Sequence, residues 1–504
     1  MSKNRDNEIN IDEFIPDEND CGIDEIDIAP SIAKKEKRSV KNVVVMTISI
    51  ILAIAVCGCY VYWLCTGNPA TDAFSRLSAF ACAALFGLCA VFAVRPVADM
   101  FSGTDYNDLV VNDKKIRSKN FFDNHPYITV FALVVITRFL IYVIAYFVCL
   151  HENGYTGGLF ETLRKTWQHS TDSNSYIGIA ENWYTNDITL DRYKHIVFFP
   201  MYPLLVKLVS FVVGDTFASA IIVSNVCAGF AGVFMYQLAL VDMPKKDALR
   251  VTKYLFLLPA ACFFGTHMSE SLFLMLCVLC VLFVRKKNFI LACIVGAFAS
   301  FTRSPGVLLL VPIFIEFVAE QCRIWREGDK QLFWKKFWQR GFSMLIVPVG
   351  IVAYLVINYT VWGDPFYFME IQKSNWSQSF GWIFNTASYL VSYLQSYFEQ
   401  GRMNLVMGLS IPNVVCIFGS LAIMLATIKK QRPSYTIYFL VYFFIVIGVQ
   451  WLLSAPRYLS VAFPLAFALG LLTKNKIIDI IVTIICILFM LWYAIMLALG
   501  YPVY

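Results

Sequence analysis

The reading of this chain turns on Asp172-Ser-Asn-Ser-Tyr-Ile-Gly-Ile-Ala-Glu-Asn-Trp-Tyr184, followed by His195-Ile-Val-Phe-Phe-Pro-Met-Tyr-Pro-Leu-Leu205. It belongs to the longest polar interval in a sequence that otherwise runs from one apolar segment to the next. A carboxylate, several aromatics and a proline-bounded apolar segment stand together there. Spacing gives it a first structural meaning. Asp172 and Tyr176 are four apart, so on a helix they share one face. Asp172 also opens that turn and could serve only as its cap.

Outward from that stretch, composition sets the solvent. Of 504 residues, 58% are hydrophobic and only 15% charged, against about 25% charged in soluble domains. A single soluble core cannot absorb so much apolar sequence, so the fold class is an all-α polytopic membrane protein. The formal charge of +6 is dispersed in short clusters. It gives no reason to expect nucleic acid, and the clusters serve better as topology signals. The 15 Cys lie mostly in apolar runs, as Cys57, Cys59, Cys277, Cys280 and Cys486 do, and read as small hydrophobes.

The positive-inside rule then orients the segments. The first part, 1–42, reads as an acidic, disordered cytoplasmic tail ending in the basic run Lys34-Lys35-Glu36-Lys37-Arg38. Two spans follow in 43–126, with Lys114, Lys115, Arg117 and Lys119 returning to the cytoplasm. A third span, 127–150, leaves the polar interval 151–195, and with it the outer loop 151–216, on the outer face. Within it, 198–213 is apolar but short, carries Pro200, Pro203 and Lys207, and is expected to lie in the interface. Counting it as a span would put Lys245, Lys246, Arg250 and Lys253 outside. Between 254 and 320 the breaks alternate in character: His267 to Ser271 outside, Arg285 to Lys287 inside, Thr302 to Gly306 outside. A second outer loop is expected at 363–404. The whole gives about thirteen spans, four of them near 15 residues and so shorter than the ~20 a full crossing prefers. The N-terminus is expected in the cytoplasm.

Charges beside apolar runs are costly, and each needs an account. Asp172, His195, Glu270, Arg303 and Arg457 are expected at the outer face, with Arg138 near the middle of the third span. That convergence on one face is the functional signal. The plainer readings stay open: an arginine at a helix end can snorkel to headgroups, Glu270 can mark a turn in water, and His195 can be an ordinary interfacial residue.

Six segments occur in order: Asp-x-x-x-Tyr-x-x-Ile-Ala (172–180), Phe-Phe-Pro-Met-Tyr-Pro (198–203), Ser-Glu-Ser-Leu-Phe (269–273), Thr-Arg-x-x-Gly (302–306), Trp-Gly-Asp-Pro (362–365) and Pro-Arg-Tyr-Leu (456–459). Together they resemble the PIG-V type of GPI mannosyltransferase and its bacterial relatives, within the GT-C membrane glycosyltransferases. The likeness spans about 127–475 and makes 127–504 a GT-C-like core, with 1–126 an addition. The family has tryptophan directly before the loop aspartate; here Thr171 stands there and Trp167 lies nearby.

The resemblance implies a chemistry. A sugar, mannose in the family, passes from a polyprenyl-phosphate donor to an extracytoplasmic lipid or glycan acceptor hydroxyl with inversion. Asp172 is the implied general base. Arg303 and Arg457, with Arg138 more distant, are the implied phosphate-binding cations. Tyr176, His195, Tyr202, Glu270 and Tyr458 are the substrate-binding candidates. The scheme calls for no metal or other cofactor, and the expected location is a bacterial plasma membrane. Two other classes fit the composition: a transporter or flippase of lipid-linked sugars, and a non-catalytic subunit of a glycan assembly complex that works beside a protein partner.

Overall fold

The computed structural model describes residues 40–67, 72–103, 124–154, 157–167, 172–501 and 503. Of the acidic tail expected at 1–42, residues 1–39 lie outside the described residues, as do Lys114, Lys115, Arg117, Lys119 and Thr171; residues 40–42 already belong to the helix Val40–Thr66. The described chain is helical, with a single isolated bridge between Phe380 and Val449.

Seven helices among the described residues are long and apolar enough to cross a bilayer: Lys41–Thr66, Ala73–Phe101, Pro126–Glu152, Thr216–Asp242, Lys330–Trp362, Met403–Thr427 and Lys476–Ala498. Two bent pairs, Asp191–Val197 with Met201–Val213 and Lys245–Leu257 with Pro259–Gly265, turn by 115° and 80°; counted as one span each, they raise the number to nine. The chain is a polytopic membrane protein by these helices. The expectation of about thirteen also counted shorter pieces: Glu270–Arg285 (16 residues), Phe289–Thr302 (14), Leu310–Glu327 (18) and Pro433–Ile447 (15). At ~1.5 Å per residue these reach about 21–27 Å, less than the ~30 Å hydrocarbon core. One of the thirteen, the apolar stretch 458–472, is divided between two helices, Ala455–Ser460 and Pro464–Leu472. Pro464 opens the second, where its missing N–H costs no helical bond.

Thr216–Asp242 is the central helix. It packs against Pro126–Asn153, Met201–Val213, Lys245–Leu257 and Glu270–Arg285. Small residues allow the close approach: a Cβ on Gly229 would meet the Phe131 ring and one on Gly232 would meet Val134. The helix Ala73–Phe101 lies outside the span of the resemblance, yet it packs along Ile383–Glu399, Ile411–Thr427 and Pro433–Ile447. Ser78 Oγ donates to the Ala387 carbonyl at 2.9 Å within that contact.

The segment expected in the interface, 198–213, is largely the α-helix Met201–Val213, and the 3-10 helix Asp191–Val197 precedes it. Pro200 sits at the corner. Tyr202 and Val206 face the core, whereas Phe211 and Val212 are 76% and 89% exposed. One helix thus carries a packed face and a bare apolar face.

The basic residues used as topology signals do more than mark a side. Arg285, at the C-terminal end of Glu270–Arg285, donates to Asp242 at 2.6 Å. Arg432 binds Glu316 through Nε and Nη2 at 2.5 and 2.7 Å. Ser434 donates to Glu316 at 2.7 Å, and Tyr435 to Asp242 at 2.8 Å. Four helices are tied there through carboxylates set inside apolar runs, and each charge has a partner, as a low-dielectric setting requires.

Candidate active site

Glu270 stands at the other end of its helix from Arg285, about 22 Å away by helical rise. There a second group of charges gathers. Arg303 Nη1 lies 2.7 Å from Glu270 Oε1, and Arg457 Nε lies 3.4 Å from the same oxygen, without the alignment of a hydrogen bond. Arg457 Nη2 lies 2.9 Å from Asp172 Oδ2. Two guanidinium groups and two carboxylates, far apart in the chain, therefore form one chain of contacts: Asp172, Arg457, Glu270, Arg303.

Local sequence explains each position. Glu270 is the first residue of its helix, where a carboxylate is favoured by the helix dipole. Arg303 follows the C-terminus of Phe289–Thr302 in extended conformation (φ −156°, ψ 145°), and the chain then turns into the 3-10 helix Ser304–Leu309. Gly306 makes that turn feasible: a Cβ there would stand 2.3 Å from the backbone of Ala299 and Ser300. This gives a physical reason for glycine in Thr-Arg-x-x-Gly. Arg457 lies in the short helix Ala455–Ser460, with Pro456 in its first turn.

Asp172 precedes the helix Ser173–Asn182 but makes no side-chain cap bond. The cap-only reading is corrected: the carboxylate turns to Arg457 instead. Side-chain exposure grades across the cluster, from 2% at Glu270 and 7% at Arg457 to 16% at Arg303 and 33% at Asp172. Asp172 is the member that solvent or a substrate reaches most readily.

Aromatic and hydroxyl groups complete the walls. Tyr176 OH lies 2.8 Å from Ser269 Oγ, and Arg303 Nη1 donates to the same Ser269 Oγ at 3.2 Å. Tyr176 packs edge-on against both Phe198 and Tyr202, with centroids 5.2 and 5.3 Å away. Tyr202 OH is hydrogen-bonded with Ser224 at 2.9 Å and donates to the Ala220 carbonyl at 3.1 Å. Tyr458 carries both cations near one ring, Arg303 at 5.6 Å and Arg457 at 5.5 Å from its centroid. Tyr442 OH donates to the Tyr458 carbonyl at 2.9 Å and holds that backbone in place.

The Trp-Gly-Asp-Pro segment shapes the rim. Gly363 has φ +75° and ends the helix Val349–Trp362. Asp364 Oδ1 accepts from the Phe366 N–H at 2.8 Å, starting the return into Tyr367–Trp376. Trp376 then packs edge-on to Phe198 at 6.0 Å, and Tyr354 OH donates to the Ile196 carbonyl at 2.6 Å.

Seven of the residues singled out in the sequence thus adjoin one another: Asp172, Tyr176, Tyr202, Glu270, Arg303, Arg457 and Tyr458. Two do not join them. His195 lies against Gly178, about 200° around the Ser173–Asn182 helix from Tyr176. Arg138 is fully buried and donates to the carbonyls of Ala261 and, at 2.8 Å, Phe256. It clamps the bend between Lys245–Leu257 and Pro259–Gly265, away from the carboxylates. One residue was missed: Ser269, which links Tyr176 to Arg303. Its signal was present in its position directly before Glu270.

Beside the site, Arg164 pairs with Asp215 and joins the helix Leu159–Trp167 to the start of Thr216–Asp242. Partial burial works against the Asp215 charge, but the Ala218 N–H and Arg164 outweigh it and hold this carboxyl below its usual range. No known protein family, curated protein or solved structure matches the chain.

Proposed function

We propose that this protein is a GT-C-type membrane glycosyltransferase that moves a sugar, mannose by the resemblance, from a polyprenyl-phosphate donor to an acceptor hydroxyl with inversion. The observation that carries the reading is the Asp172–Arg457–Glu270–Arg303 chain of contacts. It sets a solvent-reachable carboxylate against an arginine that suits a phosphate, in a chain whose substrates would both arrive by lipid.

In this reading Asp172 accepts the acceptor O–H proton as the acceptor oxygen bonds to the sugar C1. The bond from C1 to the phosphate oxygen breaks, and the polyprenyl phosphate leaves with the electron pair. Negative charge grows on that leaving oxygen, so a fixed cation beside it stabilises the transition state more than the ground state. Arg457 and Arg303 fill that role. Glu270, the most buried member, holds both guanidinium groups and acts as a positioning residue. Bringing two lipid-borne substrates together supplies a further part of the barrier reduction. The bare face of Met201–Val213, with Phe211 and Val212, is where a lipid chain would lie. The site belongs to the outer face of a bacterial plasma membrane in this reading.

The test is transfer from polyprenyl-phosphate-mannose in reconstituted vesicles by the wild type and Asp172→Asn. A general base contributes about 10²–10⁴-fold, and a loss of that size is expected. Unchanged transfer by a well-inserted variant would sink the assignment. Sugar translocation without a glycosidic product would favour a transporter.

A further inference from the structure

The helix Ile383–Glu399 carries Tyr389, Tyr393 and Tyr397. A spacing of four keeps them on one face, over about 12 Å of helix. Trp451 lies against that face. Its ring stacks on Tyr389 at 6.1 Å, with 13° between the planes, and meets Tyr393 edge-on at 5.2 Å. The Tyr393 and Tyr397 rings are 5.7 Å apart. The four rings line one cleft, which Leu409, Ser410 and Asn413 also line. Leu409 and Ser410 end a π-helical turn, Val406–Ser410, a backbone irregularity found mostly at functional sites.

The cleft adjoins the segment that carries the charged cluster. Asn413 Nδ2 donates to the Leu453 carbonyl at 3.1 Å, and its Oδ1 accepts from the Ala455 N–H at 2.8 Å. Leu453 lines the cleft, and Ala455 opens the helix that holds Arg457. Four residues of chain reach at most about 14 Å, so the cleft stands beside Arg457.

Its lining selects among ligands. Tyr389 OH accepts from the Leu452 N–H. Among the described residues, the hydroxyls of Tyr393, Tyr397 and Ser410 and the Trp451 indole N–H have no hydrogen-bond partner in the protein. Ser410 is only 2% exposed. No charged side chain lines the cleft among the described residues, so an anion finds no cation there. A prenyl or acyl chain would leave the polar groups unpaired. The rings touch one another, which leaves no hollow for an ammonium group and makes a continuous face instead. A plain interfacial belt of Tyr and Trp would not bring a buried serine hydroxyl to the same place. A sugar ring matches on both counts: C–H groups on one face for the aromatics, and a rim of hydroxyls for the polar groups.

We propose that Tyr393, Tyr397, Trp451 and Ser410 bind a neutral saccharide ring, the sugar part of the acceptor. The acceptor role rests on the transfer reaction proposed above, whereas saccharide binding does not. A glycan anchored there is held beside the Asp172–Arg457 pair.

The experiment is saturation-transfer NMR on the full chain in lipid nanodiscs. The probes are the methyl α-glycosides of mannose, glucose, galactose and N-acetylglucosamine, with choline run alongside. Transfer from polyprenyl-phosphate-mannose is measured on the same samples. At least one glycoside is expected to receive saturation through its C–H protons, most strongly on one face. Tyr393→Phe with Tyr397→Phe keeps the rings and removes two hydroxyls. At about fivefold per hydrogen bond, affinity should fall about 25-fold. Trp451→Phe removes the indole N–H and should weaken binding about fivefold. No saturation of any glycoside by a chain that performs transfer would overturn the proposal and leave the transfer reaction standing. Unchanged binding by the folded double Phe variant would also overturn it, as would saturation of choline in place of the glycosides. Binding without transfer would uphold the saccharide site and sink the transfer reaction, and the acceptor role with it.

Discussion

Arg457 holds Asp172, and this makes the two proposed roles compete. A donor phosphate that binds Arg457 must take the place of the Asp172 carboxylate, 2.9 Å from Nη2. The same exchange frees Asp172 to accept a proton. Asp172→Asn therefore has two opposite expected effects. Transfer falls by about 10²–10⁴ because the base is gone. Binding of the leaving product, polyprenyl phosphate, tightens, because Arg457 no longer has an anionic partner to give up. A hydrogen bond to a charged group contributes about 1.5–3 kcal/mol. Asp172 is 33% exposed and regains water when released, which places the effect at the low end, about 1.5 kcal/mol or roughly tenfold in affinity. The assay is competition of polyprenyl phosphate against a labelled donor on reconstituted wild type and variant, beside single-turnover transfer. Unchanged or weaker product binding by a folded variant would refute the exchange, even if transfer were lost.

Three more outcomes follow from the same geometry. Glu270→Gln removes the carboxylate that Arg303 and Arg457 share while both remain buried; a loss of about 3–5 kcal/mol is expected, and denaturation in mild detergent as stable as wild type would contradict it. Gly306→Ala places a methyl against Ala299 and Ser300 backbone, so the turn after Arg303 must shift; transfer should fall more than tenfold (over ~1.4 kcal/mol), and full activity would show that the turn is slack. Arg138→Lys keeps the charge but cannot span the two carbonyls that the guanidinium joins; stability should fall by about 2 kcal/mol with the donor KM unchanged, whereas a raised KM at full stability would return Arg138 to the donor site.

The faces of the bundle were legible because basic and polar breaks alternate between apolar runs, and that alternation put Asp172, Glu270, Arg303 and Arg457 at one end before any distance was known. Their pairings were not legible. Asp172 and Arg457 are 285 positions apart, and no local periodicity relates them. The span count was less legible for a physical reason. Between 254 and 309 the chain forms bent and broken helices in which Pro259 and Pro305 open 3-10 turns, and hydropathy averaged along a sequence does not register a bend. Arg138 shows the same limit from another side. Its depth was legible, but its partners are backbone carbonyls exposed by the break at Leu258, and these leave no trace in side-chain identity.

The opposite end of the bundle carries a related lesson. Asp242, Glu316 and Glu320 sit in segments that read as apolar, and only the structure reveals that they bind the arginines and lysines of the inward breaks. Those cations, expected at the cytoplasmic face by the positive-inside rule, also tie helices together. The helix Glu270–Arg285 then has an ion-paired residue at each end, Glu270 to Arg303 and Arg285 to Asp242. A 16-residue helix too short to span the bilayer comfortably is thereby fixed along its axis from both sides. That fixation holds Glu270 at one depth, and Glu270 in turn holds the two guanidinium groups on which the proposed phosphate chemistry depends.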